Sequence, residues 1–335
     1  MTIIIFNMEM TADAFFAKES LGHYVGKLFE LTYHEASLIT FDYYKIQANG
    51  IPQGSLLLAV YQPTQDAPID EAILLRVIGP EELPSSEENK AIIEDMFLHS
   101  PVKRDGYVDV KLSSAGLHCK ILGAFYRDKD NKIKFGSDIE NYFSAITYDV
   151  YKPYGKTLEF IVNQGSRKYQ NLFRIGKIRY ASTTKYQEKE PEVPVYVSAK
   201  DFLGKRTALF GMTRTGKSNT VKMIIQATKE MSDKAIFSKL DDEPINPLFD
   251  DGQPFTKEGE LRYKVGQLIF DINGEYANPN VQDDGTSISD MYQKDTIIYS
   301  VTPKPKCYPL KINFYRDIDL GFATMQEVLN SYYAT

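Results

Sequence analysis

The chain has 335 residues, enough for two domains at roughly 150 residues each, and its 43% hydrophobic and 25% charged content is that of a globular protein rather than a disordered one. Thirty-nine Lys and Arg stand against 45 Asp and Glu, a net charge of −6, which excludes a generally basic nucleic-acid coat and leaves anion contacts to local clusters. Two distant cysteines, Cys119 and Cys307, and four His without short paired spacing exclude a disulfide-stapled scaffold, a cysteine zinc site and a His-rich metal site. There is no 18-residue apolar run, and Met1–Phe6 has no basic flank before Asp13 and Glu19, so neither a membrane span nor a signal peptide is expected. The expected location is the reducing cytoplasm.

Taken in chain order, residues 20–185 read mostly as short strands rich in β-branched and aromatic residues: 24–31, 37–46, 55–61, 72–78, 107–112, 158–162 and 173–180. Turn-forming pairs such as Asn49-Gly50, Gly79-Pro80 and Asp105-Gly106 separate them. This spacing predicts a small antiparallel barrel or sandwich. One helix interrupts it, capped near Ser85-Ser86 and carrying its apolar face over Ala91–Leu98. The stretch Arg127–Lys134 reads as a hairpin turn, and Cys119 as a buried small hydrophobe. Residues 185–194, charged and bearing Pro191 and Pro194, read as a linker. Beyond it the pattern changes to α/β: a strand over Arg206–Phe210, a helix over Lys217–Glu230 with Val221, Ile224, Ile225 and Thr228 at helical spacing, a buried strand over Gln267–Asp271 and another over Thr296–Val301. The expected domains are therefore 1–190, all-β, and 191–335, α/β.

The segment Gly211-Met212-Thr213-Arg214-Thr215-Gly216-Lys217-Ser218 matches G-x-x-x-x-G-K-[ST] in full. Its glycines let the loop fold back so that successive N–H groups and the start of the next helix cradle a β-phosphate. Lys217 is placed to reach the β- and γ-phosphates, and the Ser218 hydroxyl to bind Mg²⁺, so the cofactors read from the motif are ATP and Mg²⁺. The second segment is Leu268-Ile269-Phe270-Asp271-Ile272-Asn273-Gly274-Glu275-Tyr276. An apolar strand ending in Asp271 supplies a second Mg²⁺ ligand, and Glu275, four residues on, is the candidate to orient or deprotonate the attacking water. From Ala199 to Leu240 nine basic residues face three acidic ones, a net of +6, a charge that suits attraction of nucleotide and DNA phosphates; Asp241–Ser300 nets −9, with four against thirteen.

These motifs, Gly-Met-Thr-x-x-Gly-Lys-Ser-Asn at 211–219 and Phe-Asp-x-x-Gly-Glu-Tyr at 270–276, resemble the HerA/FtsK group of DNA-translocating ATPases, and HerA in particular. Ile175-Gly176-Lys177 and Val193-Pro194-Val195-Tyr196 resemble the end of that family's N-terminal barrel and the approach to its ATPase strand. Arg214 and Thr215 depart from the family's usual Gly and Ser. The resemblance adds Asn219 to the nucleotide loop. It implies a β-barrel followed by a RecA-like P-loop ATPase domain, a homohexameric ring, ATP-driven movement on double-stranded DNA, and a nuclease or sirtuin-type effector on the barrel face, in DNA end processing or antiviral defence. The alternative it leaves open is a nucleotide-binding ring scaffold that activates a partner enzyme without productive translocation. Since a RecA-type sheet needs strands after Thr296–Val301, the ATPase domain is expected to be incomplete at its C-terminus, with the family's sensor and trans-acting arginine beyond Thr335.

Overall fold

The computed structural model describes residues 4–5, 10–62, 68–98, 106–165, 171–183, 185–198, 201–212, 216–236, 255–256, 261–279, 287–301, 304–311, 313, 316 and 318–333. The chain divides into two compact units, one of Met1–Lys205 with Phe255–Glu260 and one of Arg206–Pro254 with Leu261–Thr335.

The first unit begins with a two-residue strand, β1 (Ile4–Ile5), and a helix, α1 (Ala12–Phe16), whose N-terminus is capped by the Thr11 hydroxyl accepting from the Ala14 N–H at 3.2 Å. There follow β2 (His23–Leu31), β3 (Glu35–Phe41), α2 (Asp42–Gln47), β4 (Leu56–Tyr61), β5 (Glu71–Glu81), α3 (Ser86–Leu98), α4 (Gly106–Leu112), β6 (Ser114–Arg127), β7 (Ile133–Gly136), β8 (Tyr148–Lys152), α5 (Gly155–Val162), β9 (Asn171–Lys177) and β10 (Pro194–Ser198). Six strands pair in the order β3-β2-β8-β4-β5-β6, every pair antiparallel, and β3 pairs with β6 to close the ring. Closure removes the sheet edges that would otherwise invite pairing with another chain. The 14-residue β6 makes this possible: its first half serves β3, its last turn of chain forms a hairpin with β7, and β5 runs along nearly all of it.

Alternation along the strands builds two cores. Leu57, Ala59, Ile73, Leu75, Cys119 and Val150 point into the barrel. Their neighbours Leu58, Val60, Ala72, Leu74, Phe125 and Tyr151 point outward, where α1 and α5 cover them with Phe15, Phe16, Phe160 and Ile161. Phe15 centres the outer layer, its ring 5.2 Å from both Phe125 and Phe160 and edge-on to Phe16 at 5.0 Å. Such pairs add about 0.5–1.5 kcal/mol each beyond the area they bury. Burial also pushes the Cys119 thiol up to about 12, as expected of a cysteine that packs rather than reacts.

Several expected strands are something else. Residues 158–162 belong to α5, because Thr157, Leu158, Phe160 and Ile161 are buried together on a helical face. Residues 107–112 form α4. The strand expected over 37–46 ends at Phe41, and α2 takes over with Asp42 in its first turn paired to Lys45 at 3.0 Å. The strand expected to complete the barrel at 173–180 is β9, which lies outside it in a three-stranded sheet with β1 and β10. The hairpin turn at 127–134 is present between β6 and β7, its loop tied by the Asp128 carboxylate accepting from the N–H of Asp130 and Lys132, each at 2.9 Å.

The charged segment 185–194 lies against the first unit. Buried Lys152 donates to the Ala48 carbonyl and to Glu190, each at 2.8 Å, Glu192 pairs with Arg174 and Lys177, and the Tyr186 ring packs at Gly50. A buried ammonium is tolerable here because both a carboxylate and a carbonyl take its protons.

The second unit is a mixed α/β region. Its helix α6 (Lys217–Asp233) buries Ile225, Ala227, Thr228 and Met231. A short helix α7 (Ile288–Met291), a parallel pair of β11 (Tyr299–Ser300) and β12 (Tyr308–Pro309), and α8 (Ile318–Tyr333) follow. Arg206–Phe210 and Gln267–Asp271 are not strands, and of the expected strand at 296–301 only Tyr299–Ser300 is one. The physical reason is pairing: an apolar run becomes a parallel strand only where neighbours take its N–H and C=O groups. No such neighbour flanks either run among the described residues, and Phe210, Leu268 and Phe270 are exposed at 94%, 83% and 82%.

Candidate functional site

The loop-to-helix junction at 211–218 forms within the second unit. Gly216 is the N-cap of α6 and holds φ +87°, a left-handed conformation that suits glycine at the end of a phosphate-binding loop. Thr220 closes the first turn, its N–H donating to the Gly216 carbonyl at 2.9 Å. Lys217 turns back over the loop, its Nζ donating to the carbonyls of Gly211 and Met212, each at 2.6 Å. Gly211, Met212, Gly216 and Asn219 are exposed, and Lys217 and Ser218 half-buried. Thr213, Arg214 and Thr215 lie outside the described residues.

The second motif reaches the same place by running along α6. Ile236 donates its N–H to the Leu261 carbonyl at 3.2 Å, Val265 donates its N–H to the Ser232 hydroxyl at 2.8 Å, and Gln267 Nε2 donates to the Ile225 carbonyl at 3.1 Å. The chain thus travels from the C-terminal end of α6 towards its N-terminus and delivers 271–277 at Ser218. There the Ser218 hydroxyl donates to Glu275 Oε2. The Tyr276 side chain also stands beside Ser218. Burial, then the charges of Glu275 and Asp271, hold the Tyr276 pKa above the ordinary tyrosine value, with the Ser218 contact pulling the other way.

Asp271, the expected second Mg²⁺ ligand, stands at the head of the turn that carries Glu275. Its Oδ1 accepts the Glu275 N–H, and its Oδ2 accepts those of Tyr276 and Ala277, all at 2.9 Å. The group that touches Ser218 is Glu275. Tyr276 belongs to the second motif, but its contact with Ser218 depends on how the turn folds and was not readable from spacing.

The donor set is a hydroxyl and two carboxylates. These are hard oxygen ligands of the kind Mg²⁺ takes, and Mg²⁺ ordinarily needs only one or two protein carboxylates beside substrate phosphates. The residues present therefore fit that ion, and among the described residues no group of three His, Cys, Asp or Glu is arranged to hold a metal without a substrate. No helix among the described residues is long and apolar enough to cross a membrane.

Residues 173–237, which contain the whole of the 211–218 loop and the whole of α6, match the family model described as Helicase HerA, central domain. No curated protein sequence matches the chain.

Proposed function

We propose that this chain, in which a closed six-stranded barrel is followed by residues 173–237 that match the model of the HerA helicase central domain, is an ATP-hydrolysing DNA translocase. It works as a homohexameric ring around double-stranded DNA, in the cytoplasm, with a nuclease or sirtuin-type effector on the barrel, in DNA end processing or antiviral defence. The observation that carries this reading is the meeting of the two motifs: a P-loop serine and the second motif's glutamate, 57 residues apart, share a hydrogen bond.

In this reading Gly211–Asn219 wrap the nucleotide phosphates, the loop N–H groups and the start of α6 supplying donors. Lys217 leaves its two loop carbonyls for the β- and γ-phosphate oxygens, exchanging two neutral acceptors for charged ones. The Ser218 hydroxyl would hold Mg²⁺, which would offset phosphate charge. A carboxylate has about four lone-pair directions. Three at Asp271 are taken by backbone N–H, and the one left would be its share in holding that ion. Glu275 orients the attacking water and accepts its proton.

Translocation is tested by displacement of a triplex-forming strand from duplex DNA. ATP-dependent displacement is the expected result. Nucleotide binding and assembly with no displacement would favour a ring scaffold that licenses a partner enzyme.

A further inference from the structure

The 271–278 turn is fixed on both sides of its backbone. On the N–H side, one carboxylate takes three consecutive donors, from Glu275, Tyr276 and Ala277. Charge-assisted bonds of this kind are stronger than neutral ones. On the C=O side, the Tyr276 carbonyl accepts from the Ile288 N–H at 3.0 Å and the Ala277 carbonyl from the Ser289 hydroxyl at 2.6 Å, both at α7. The bend itself needs Gly274, which has φ +76° and where a Cβ would stand 2.8 Å from Asn278 Nδ2. Asn278 in turn donates to the Gly274 carbonyl through its N–H at 3.2 Å and its side-chain amide at 3.1 Å. The two side chains that leave this backbone at 275 and 276 are the two that meet Ser218.

We infer that Asp271 is a positioning residue, acting through the backbone of 275–277 to hold Glu275 and Tyr276 on Ser218, and that this outweighs any contact it makes with a metal ion. The inference rests on the nucleotide-site reading for its consequence in catalysis, but not for the geometry itself. A metal-holding carboxylate and a turn-holding one respond differently to substitution. Asp271→Asn removes the charge and keeps one acceptor oxygen, which can serve the Tyr276 and Ala277 N–H groups. Asp271→Ala removes all three bonds.

The test has two arms. The first is amide hydrogen exchange over 272–279 in the protein without nucleotide. Asp271→Ala is expected to speed exchange at 275–277 by roughly tenfold or more, with Asp271→Asn in between; unchanged exchange in Asp271→Ala overturns the inference. The second is the Mg²⁺ dependence of ATP hydrolysis. A positioning role predicts that kcat falls in the order parent, Asn, Ala while half-saturating Mg²⁺ stays within about threefold. A tenfold or larger rise in half-saturating Mg²⁺ for Asp271→Asn, with exchange at 275–277 near parental, shows a metal ligand instead and overturns the inference. If the parent protein binds no ATP, the nucleotide reading fails by itself and the exchange arm still decides the role of Asp271.

Discussion

Lys217→Ala is expected to lower ATP hydrolysis by at least about 10²–10³-fold, the size typical of losing one preorganised electrostatic contact to a transition state, and to weaken ATP binding as well. The reason is placement. The ammonium sits at the first residue of α6, held over the loop by the Gly211 and Met212 carbonyls at 2.6 Å each. Those acceptors hold it over the loop, so in the proposed function its charge is delivered without a large search of side-chain conformations. Removing the side chain should cost the fold little, because both of its bonds are to a loop that is exposed at Gly211 and Met212. Nucleotide affinity by fluorescence and turnover by phosphate release check this, with thermal unfolding as the control. Parental turnover in the variant would remove the loop from the mechanism.

Glu275→Gln is expected to slow hydrolysis by about 10²–10⁴-fold, the usual contribution of a general base or water-positioning group, while ATP stays bound. The amide keeps a carbonyl oxygen that can accept the Ser218 proton now taken by Oε2, so the loop and turn should remain joined. What is lost is the negative charge and the basicity. The variant should therefore show parental ATP affinity and parental exchange at 275–277, separating it from Asp271→Ala, which should disturb that backbone. A variant that turns over ATP at the parental rate would reduce the Glu275–Ser218 contact to a structural tie.

The loop and its helix were legible because their chemistry is local: Gly216 supplies the left-handed turn, and Lys217 and Ser218 follow at fixed spacing on α6. The approach of Glu275 to the same point was legible only as a pairing of motifs. The folded chain adds the route, along α6 by way of Leu261, Val265 and Gln267. The capping work of Asp271 was hidden, since an Asp after an apolar run reads equally as a metal ligand or as the head of a turn. In the barrel, β4 and β5 showed themselves because they are apolar on both faces, one face filling the barrel and the other covered by α1 and α5. β6 did not, because its 14 residues mix Gly116, Lys120 and Gly123 into an uneven pattern and its partners shift register against Leu74 and Leu75. The choice of β10 and β1 as partners for β9 is a long-range decision that no window of local sequence contains. The same holds for 206–210 and 267–271, whose composition is that of strands and whose pairing is not supplied by the described residues.

In the proposed function the Ser218–Glu275 pair serves ATP hydrolysis that drives movement on DNA. ATP turnover by the protein, measured with Mg²⁺ in the presence and absence of long double-stranded DNA, tests it most directly. Mg²⁺-dependent hydrolysis that duplex DNA stimulates, and that Glu275→Gln slows by about 10²–10⁴-fold under both conditions, is the expected result. ATP binding with no turnover, or turnover indifferent to DNA, would contradict it.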